Sequence, residues 1–105
     1  MYSSRSAFPG LPKRYSANKT VKPVNFICLA PGARHVSLVG DFNDWHPNAN
    51  PMKRQPDGAW MIQVMLGHGP HHYLFCVDGN LLLDPRAQGA VRSKEHGKIS
   101  LITVS

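Results

Sequence analysis

The sequence predicts an all-β chain folded as an antiparallel β-sandwich of about six short strands. Three observations carry this. From Val21 onward apolar and polar residues alternate with a period of two. Turn signals recur along that stretch, at Pro31-Gly32, Asp57-Gly58, Gly67 to Pro70, Asp78-Gly79-Asn80 and Asp84-Pro85. No segment sustains the 3.6-residue period of an amphipathic helix.

The elements follow in order. Val24, Phe26 and Cys28 share one face of a first strand, which Pro31-Gly32 ends. His35 to Asp41 forms a second, with Val36 and Leu38 on one face. Residues 43–51 are a loop rich in Asn, Pro and Asp. After the hairpin signal Asp57-Gly58, Trp60, Ile62, Val64 and Leu66 alternate with Met61, Gln63 and Met65. Beyond the turn at 67–70, Tyr73, Phe75 and Val77 alternate with His72, Leu74 and Cys76. A tight turn leads into Leu81-Leu82-Leu83. Residues 86–97 are polar and irregular, and Ile99 to Val104 closes the chain as a last strand. The expected inward set is Val24, Phe26, Val36, Leu38, Trp60, Ile62, Val64, Tyr73, Phe75, Val77 and Leu101. His72, Leu74 and Cys76 then point outward, as do Met61 and Met65.

With 105 residues the chain is expected to form one domain with a modest core. It carries no apolar run of the ~18 residues a membrane span needs. It starts without the apolar stretch of a secretory signal, and the reading is a soluble cytoplasmic protein. The formal charge of +6 is unevenly placed. Residues 1–20 hold Arg5, Lys13, Arg14 and Lys19 with no acid, and Ser, Pro and Gly without periodicity, and read as a flexible basic arm. That arm is basic and Ser-containing like an organelle transit peptide, yet lacks an amphipathic pattern. Residues 21–105, the expected folded domain, are nearly balanced, and no basic-aromatic motif points to nucleic acid. Cys28 and Cys76 lie within apolar runs and read as a reduced pair, with a disulfide left open because sequence cannot give their separation.

The richest segment is Val36 to Trp45, where an alternating strand ends in Gly40-Asp41 and two aromatics, Phe42 and Trp45, bracket a polar turn. A flat ring at a strand end suits stacking on the apolar face of a sugar. The order of Val39-Gly40-Asp41-Phe42-Asn43-Asp44-Trp45, Pro51-Met52, Asp57-Gly58-Ala59-Trp60, His72-Tyr73-Leu74-Phe75, Val77-Asp78-Gly79 and Asp84-Pro85 resembles the family 48 carbohydrate-binding modules. These include the glycogen-binding domain of the AMP-activated protein kinase beta subunit and the early-set domains of glycogen branching enzymes and isoamylases. The resemblance covers about residues 21–105. It implies an immunoglobulin-like early-set sandwich that binds α-1,4-glucan such as glycogen or starch without cutting it. It further implies that Trp45 is a sugar platform, that Leu74 stands where relatives carry a sugar-binding lysine, and that Leu81 replaces a second stacking tryptophan. Ser100 is the nearest match to a polar contact on the last strand. Asn43, Asp44 and His72 are candidate rim contacts, although Asn43 and Asp44 equally suit capping of the turn. If the two replaced contacts were each worth ~1–2 kcal/mol, their loss weakens binding tens- to hundreds-fold. The glucan reading requires Trp45 to offer its ring to solvent.

Other chemistries find no support. Glycoside hydrolysis needs two carboxylates across a bond, and Asp57, Asp78 and Asp84 fall at turns. There is no nucleophile elbow, no phosphate-cradling Gly loop and no Cys-His pair in an evident context, so no catalytic residue is assigned. The cluster His68, His71 and His72 lacks a cysteine or acid at metal-site spacing, and neither metal nor cofactor is expected. A second reading starts from the replaced residues: Leu74, Cys76 and Leu81, with Met61 and Met65, form an outward apolar set. Such a patch marks a protein interface. The module then serves as a docking or homodimerisation domain for a glucan-metabolising enzyme or a kinase-type partner.

Overall fold

The computed structural model describes residues 21–105, which form eight antiparallel strands in two sheets. The strands are β1 (Val21–Leu29), β2 (Val36–Gly40), β3 (Lys53–Arg54), β4 (Ala59–Gly67), β5 (Gly69–Val77), β6 (Asn80–Leu82), β7 (Gly89–Ser93) and β8 (Gly97–Val104). The basic arm expected over residues 1–20 lies outside the described residues. One sheet has the order β1-β4-β3, and the other β2-β5-β8-β7 with β6 also on β5. Among the described residues no helix is long and apolar enough to cross a membrane.

The period-two pattern sets the register. Cys28, Phe26 and Val24 of β1 face Trp60, Ile62 and Val64 of β4 as direct partners. On the other sheet Val36, Leu38 and Gly40 partner Val77, Phe75 and Tyr73, and Tyr73 partners Ser100 of β8. These rows close on one another and form the core, with Leu38, Phe75, Val36 and Ser100 the most completely buried. Trp60 fixes one end by donating its indole N–H to the Ala30 carbonyl at 2.9 Å.

Four expectations are corrected. Leu101 pairs with His72 on the outer row, and the inward residues of β8 are Ser100, Ile102 and Val104. Both phases of β8 carry apolar side chains, because Ile99 is buried on the outer face too, so alternation could not choose between them. Residues 89–93 form β7 rather than irregular chain, and Lys53–Arg54 pairs with β4. Both are short edge strands with mostly exposed residues, which show no buried face in the sequence. Met61 and Met65 lie on β4, in the other sheet from Leu74, Cys76 and Leu81, so the outward apolar residues are not one patch. Cys28 and Cys76 are both free, Cys28 in the core and Cys76 on the outer face of the larger sheet. Burial, and then the Asp84 charge, push the Cys28 thiol pKa upward, which disfavours the reactive thiolate.

Tyr73 reaches the edge of this core and donates its hydroxyl to Asp84 Oδ2 at 2.7 Å. Burial is the main cause of a strongly raised phenol pKa, followed by that hydrogen bond and the Asp84 charge. The unfolded phenol ionises above its ordinary value of 10.0 while the folded one keeps its proton. Tyr73 therefore adds full stability below about pH 10 and loses it as the pH rises further. Denaturant titrations at pH 9 and 11 are expected to show a steeper loss of stability for the wild type than for Tyr73→Phe. Parallel losses would remove Tyr73 as the cause.

Candidate functional site

The segment after β2 is a tight, hydrogen-bonded turn built around Asn43. Its Oδ1 accepts the Gly40 N–H at 3.0 Å, and its Nδ2 donates to the Leu38 carbonyl at 3.0 Å and to Asn50 Oδ1 at 2.7 Å. The Gly40 carbonyl accepts the N–H groups of Asn43 and Trp45 at 3.1 and 2.9 Å. Asp44 and Trp45 both sit in the left-handed region, at φ 56° and 57°. That conformation is uncommon for any residue but Gly and is an outlier for one as bulky as Trp. The turn thus holds Trp45 at an energetic cost, and Asn43 is a principal brace. Asn43→Ala is expected to lower stability by about 2 kcal/mol, by loss of three side-chain bonds in a part-buried turn. Chemical denaturation checks it, and a change under 0.5 kcal/mol would show the turn holds without its side chain.

The turn folds Trp45 over the outer face of the larger sheet. There Val39, Leu74 and Ile99 form a second buried cluster, with Trp45 and Cys76 packed against it. The indole is half-buried, neither bare nor sunk in the main core. It stacks on the imidazole of His96, with ring centroids 4.1 Å apart and planes 21° from parallel. His96 comes from the turn between β7 and β8. The two rings help line a shallow depression of about 280 Å³ with Val39, Cys76 and Leu81. Its lining is mainly apolar.

The predicted site residues fall into three groups. Trp45 and Leu81 share the depression, and Leu81 is half exposed there, at 50%. Leu74 lies beneath them and is 2% exposed, so it serves as floor rather than as an open contact. The expectation that Leu74 forms exposed apolar surface is therefore corrected: the Trp45 turn covers it. The remaining four do not line the depression. Ser100 is fully buried on the opposite, core-facing side, where its Oγ accepts the Asp84 N–H at 2.9 Å. Asn43 spends its amide inside the turn. Asp44 is exposed on that turn. His72 packs with Asp41, its Nδ1 at 3.0 Å and its N–H donating at 3.1 Å to the same carboxylate oxygen, while His71 Nδ1 stands 3.8 Å from the other. That group ties the end of β2 to β5. His96 is the residue that sequence reasoning missed. Its stretch looked irregular, and no signal in the chain links position 96 to position 45.

The acids at turns bind backbone. Asp57 accepts the Ala59 N–H at 3.0 Å, Asp78 accepts from Arg34 and His35 at 3.0 and 2.8 Å, and Asp84 accepts from Arg86 at 2.9 Å. Among the described residues no group of three or more His, Cys, Asp or Glu is placed to hold a metal ion.

The two-sheet architecture and the strand-end tryptophan coincide with a match over residues 14–93 to the carbohydrate-binding module 48 (isoamylase N-terminal domain). The chain belongs to that family. Its fold is accordingly the immunoglobulin-like β-sandwich of these modules. Relatives include 1,4-alpha-glucan branching enzymes GlgB. That of Bradyrhizobium sp. (strain ORS 278) is 41% identical over 59 residues, covering 56% of this chain and 8% of the enzyme. That of Rhodopseudomonas palustris (strain BisB5) is 44% identical over 59 residues, again 56% of this chain and 8% of the enzyme. That of Burkholderia vietnamiensis (strain G4 / LMG 22486) is 38% identical over 78 residues, covering 71% of this chain and 11% of the enzyme. This module thus spans about a tenth of the length of the curated relatives it matches. Family 48 modules are carbohydrate-binding, accessory parts of glucan enzymes.

Proposed function

We propose that this module binds α-1,4-glucan without cutting it, at the depression walled by Trp45. One observation carries the reading: a strained turn holds an indole half-exposed over an apolar hollow on the outer face of the larger sheet. The backbone there accepts φ 57° at a tryptophan, and such strain persists where the position of the side chain matters. Stacking a pyranose on an aromatic ring gains from burial of C–H surface and from dispersion. Family membership and the branching-enzyme relatives support the choice of ligand class, a neutral polymer of glucose.

The lining also bears on strength. Leu74 is buried and Leu81 offers apolar surface without a donor, so a single sugar ring gains few directed bonds. Weak contacts repeated along a polymer raise retention through effective concentration. Affinity electrophoresis in gels containing glycogen, amylose or cellulose tests the proposal. Retardation by the two α-glucans, relieved by soluble maltoheptaose, is the expected result. Unretarded migration in all three gels would overturn it.

A further inference from the structure

We propose that His96 is a second sugar-contacting residue of this site, supplying both ring surface and its hydrogen bond. The inference rests on the glucan reading above and names a residue outside the sequence segments that carry the family resemblance. Three observations support it.

The imidazole lies nearly flat on Trp45, at 4.1 Å between centroids. Each ring limits the motion of the other, and the stack lays the imidazole over one indole face, so a sugar at this wall meets His96 as well as Trp45. A wall fixed before binding costs less ordering entropy than two mobile side chains. Next, the ring nitrogens of His96 have no hydrogen-bond partner among the described residues, and only its backbone N–H is engaged, by Ser93 Oγ at 3.3 Å. Of the six histidines, His46, His71 and His72 each engage a ring nitrogen with a protein partner. Of the three that do not among the described residues, His35, His68 and His96, His96 is the one that lines this depression. An imidazole on a ligand-facing wall with open nitrogens can donate to one hydroxyl oxygen or accept from one hydroxyl. Last, of the other side chains in the lining, Val39, Cys76, Leu81 and Pro47 bring no strong polar group, and the Trp45 indole N–H can donate but not accept. His96 is the side chain of this lining whose ring can accept from a sugar hydroxyl as well as donate to one. A donor from the β7–β8 turn thereby serves where Leu74, buried below, cannot.

Variants separate the two roles. His96→Phe keeps a stacking ring and removes the nitrogens, His96→Gln keeps a donor and removes the ring, and His96→Ala removes both. Binding of maltoheptaose is read by calorimetry and by the change in tryptophan emission on titration, with Trp45→Ala as reference. Thermal melts within about 3 °C of wild type identify the variants that remain folded. The expected result is a five- to tenfold loss for His96→Phe, the worth of about one hydrogen bond. His96→Ala is expected to lose more, and His96→Gln to fall between wild type and Ala. Retained affinity in folded His96→Phe would overturn the hydrogen-bonding role, and retained affinity in folded His96→Ala would overturn the whole inference. Absence of binding in the wild type itself would instead bring down the glucan reading on which this one stands, and with it this assignment.

Discussion

Replacing Trp45 by alanine is expected to reduce glucan retention to background. A central aromatic anchor in a small site carries a large share of the binding free energy, of the order of 2 kcal/mol or more on truncation. That corresponds to a loss of about thirtyfold, which a shallow site cannot absorb. The fold need not suffer in proportion. Trp45 is half-buried, and its backbone sits at φ 57°, where any residue but Gly is disfavoured. Trp45→Gly is the informative companion, since it removes the ring while relieving the backbone conformation. Both variants should migrate freely in amylose gels that retard the wild type. Trp45→Gly should keep a cooperative unfolding transition. A Trp45→Gly protein that is folded and still retarded would place the sugar elsewhere on the module.

The second large effect is expected at Gly40. A Cβ built there lies 2.5 Å from Phe42 Cε2 and 2.6 Å from the His72 carbonyl oxygen. The phenyl group could swing, but the carbonyl belongs to β5 and accepts the Asp41 N–H at 3.0 Å. Relief therefore means moving Phe42 out of its packing on Phe26 and prising the end of β2 from β5. Gly40→Ala should cost about 3 kcal/mol, as overpacking at a closed site does. It should also lower glucan affinity, because the Gly40 carbonyl anchors the N–H groups of Asn43 and Trp45. Denaturation midpoints and the same binding assay check both effects. A Gly40→Ala protein as stable as wild type would show that the turn tolerates the added carbon, and that Gly40 is not needed to seat Trp45.

These two positions show how much of the site was legible. The motif from Gly40 to Trp45 is local, and its spacing alone indicated an aromatic delivered to a strand end. The Asn43 brace was foreseen as one of two roles, and the turn hydrogen bonds favour it. The fate of Leu74 was not legible. Its outward phase on β5 was read correctly, yet outward meant covered, because a loop 29 residues earlier in sequence folds across it. Ser100 failed for a related reason: a matched position near the last strand depends on the phase of β8, and apolar residues occupy both phases there.

The principal strands and turns, the inward phase of the core rows in β1, β4 and β5, and the family were determined by the sequence itself. Period-two burial and Gly, Pro and Asp turn preferences act between near neighbours, and these leave a direct trace in the chain. Only the tertiary structure decided that Trp45 meets His96, that Leu74 lies under both, and that the methionines of β4 belong to a different surface. Those relations join residues from separate strands and loops, set by how two twisted sheets close on each other. Contacts of that kind arise from packing in three dimensions and have no period along the sequence.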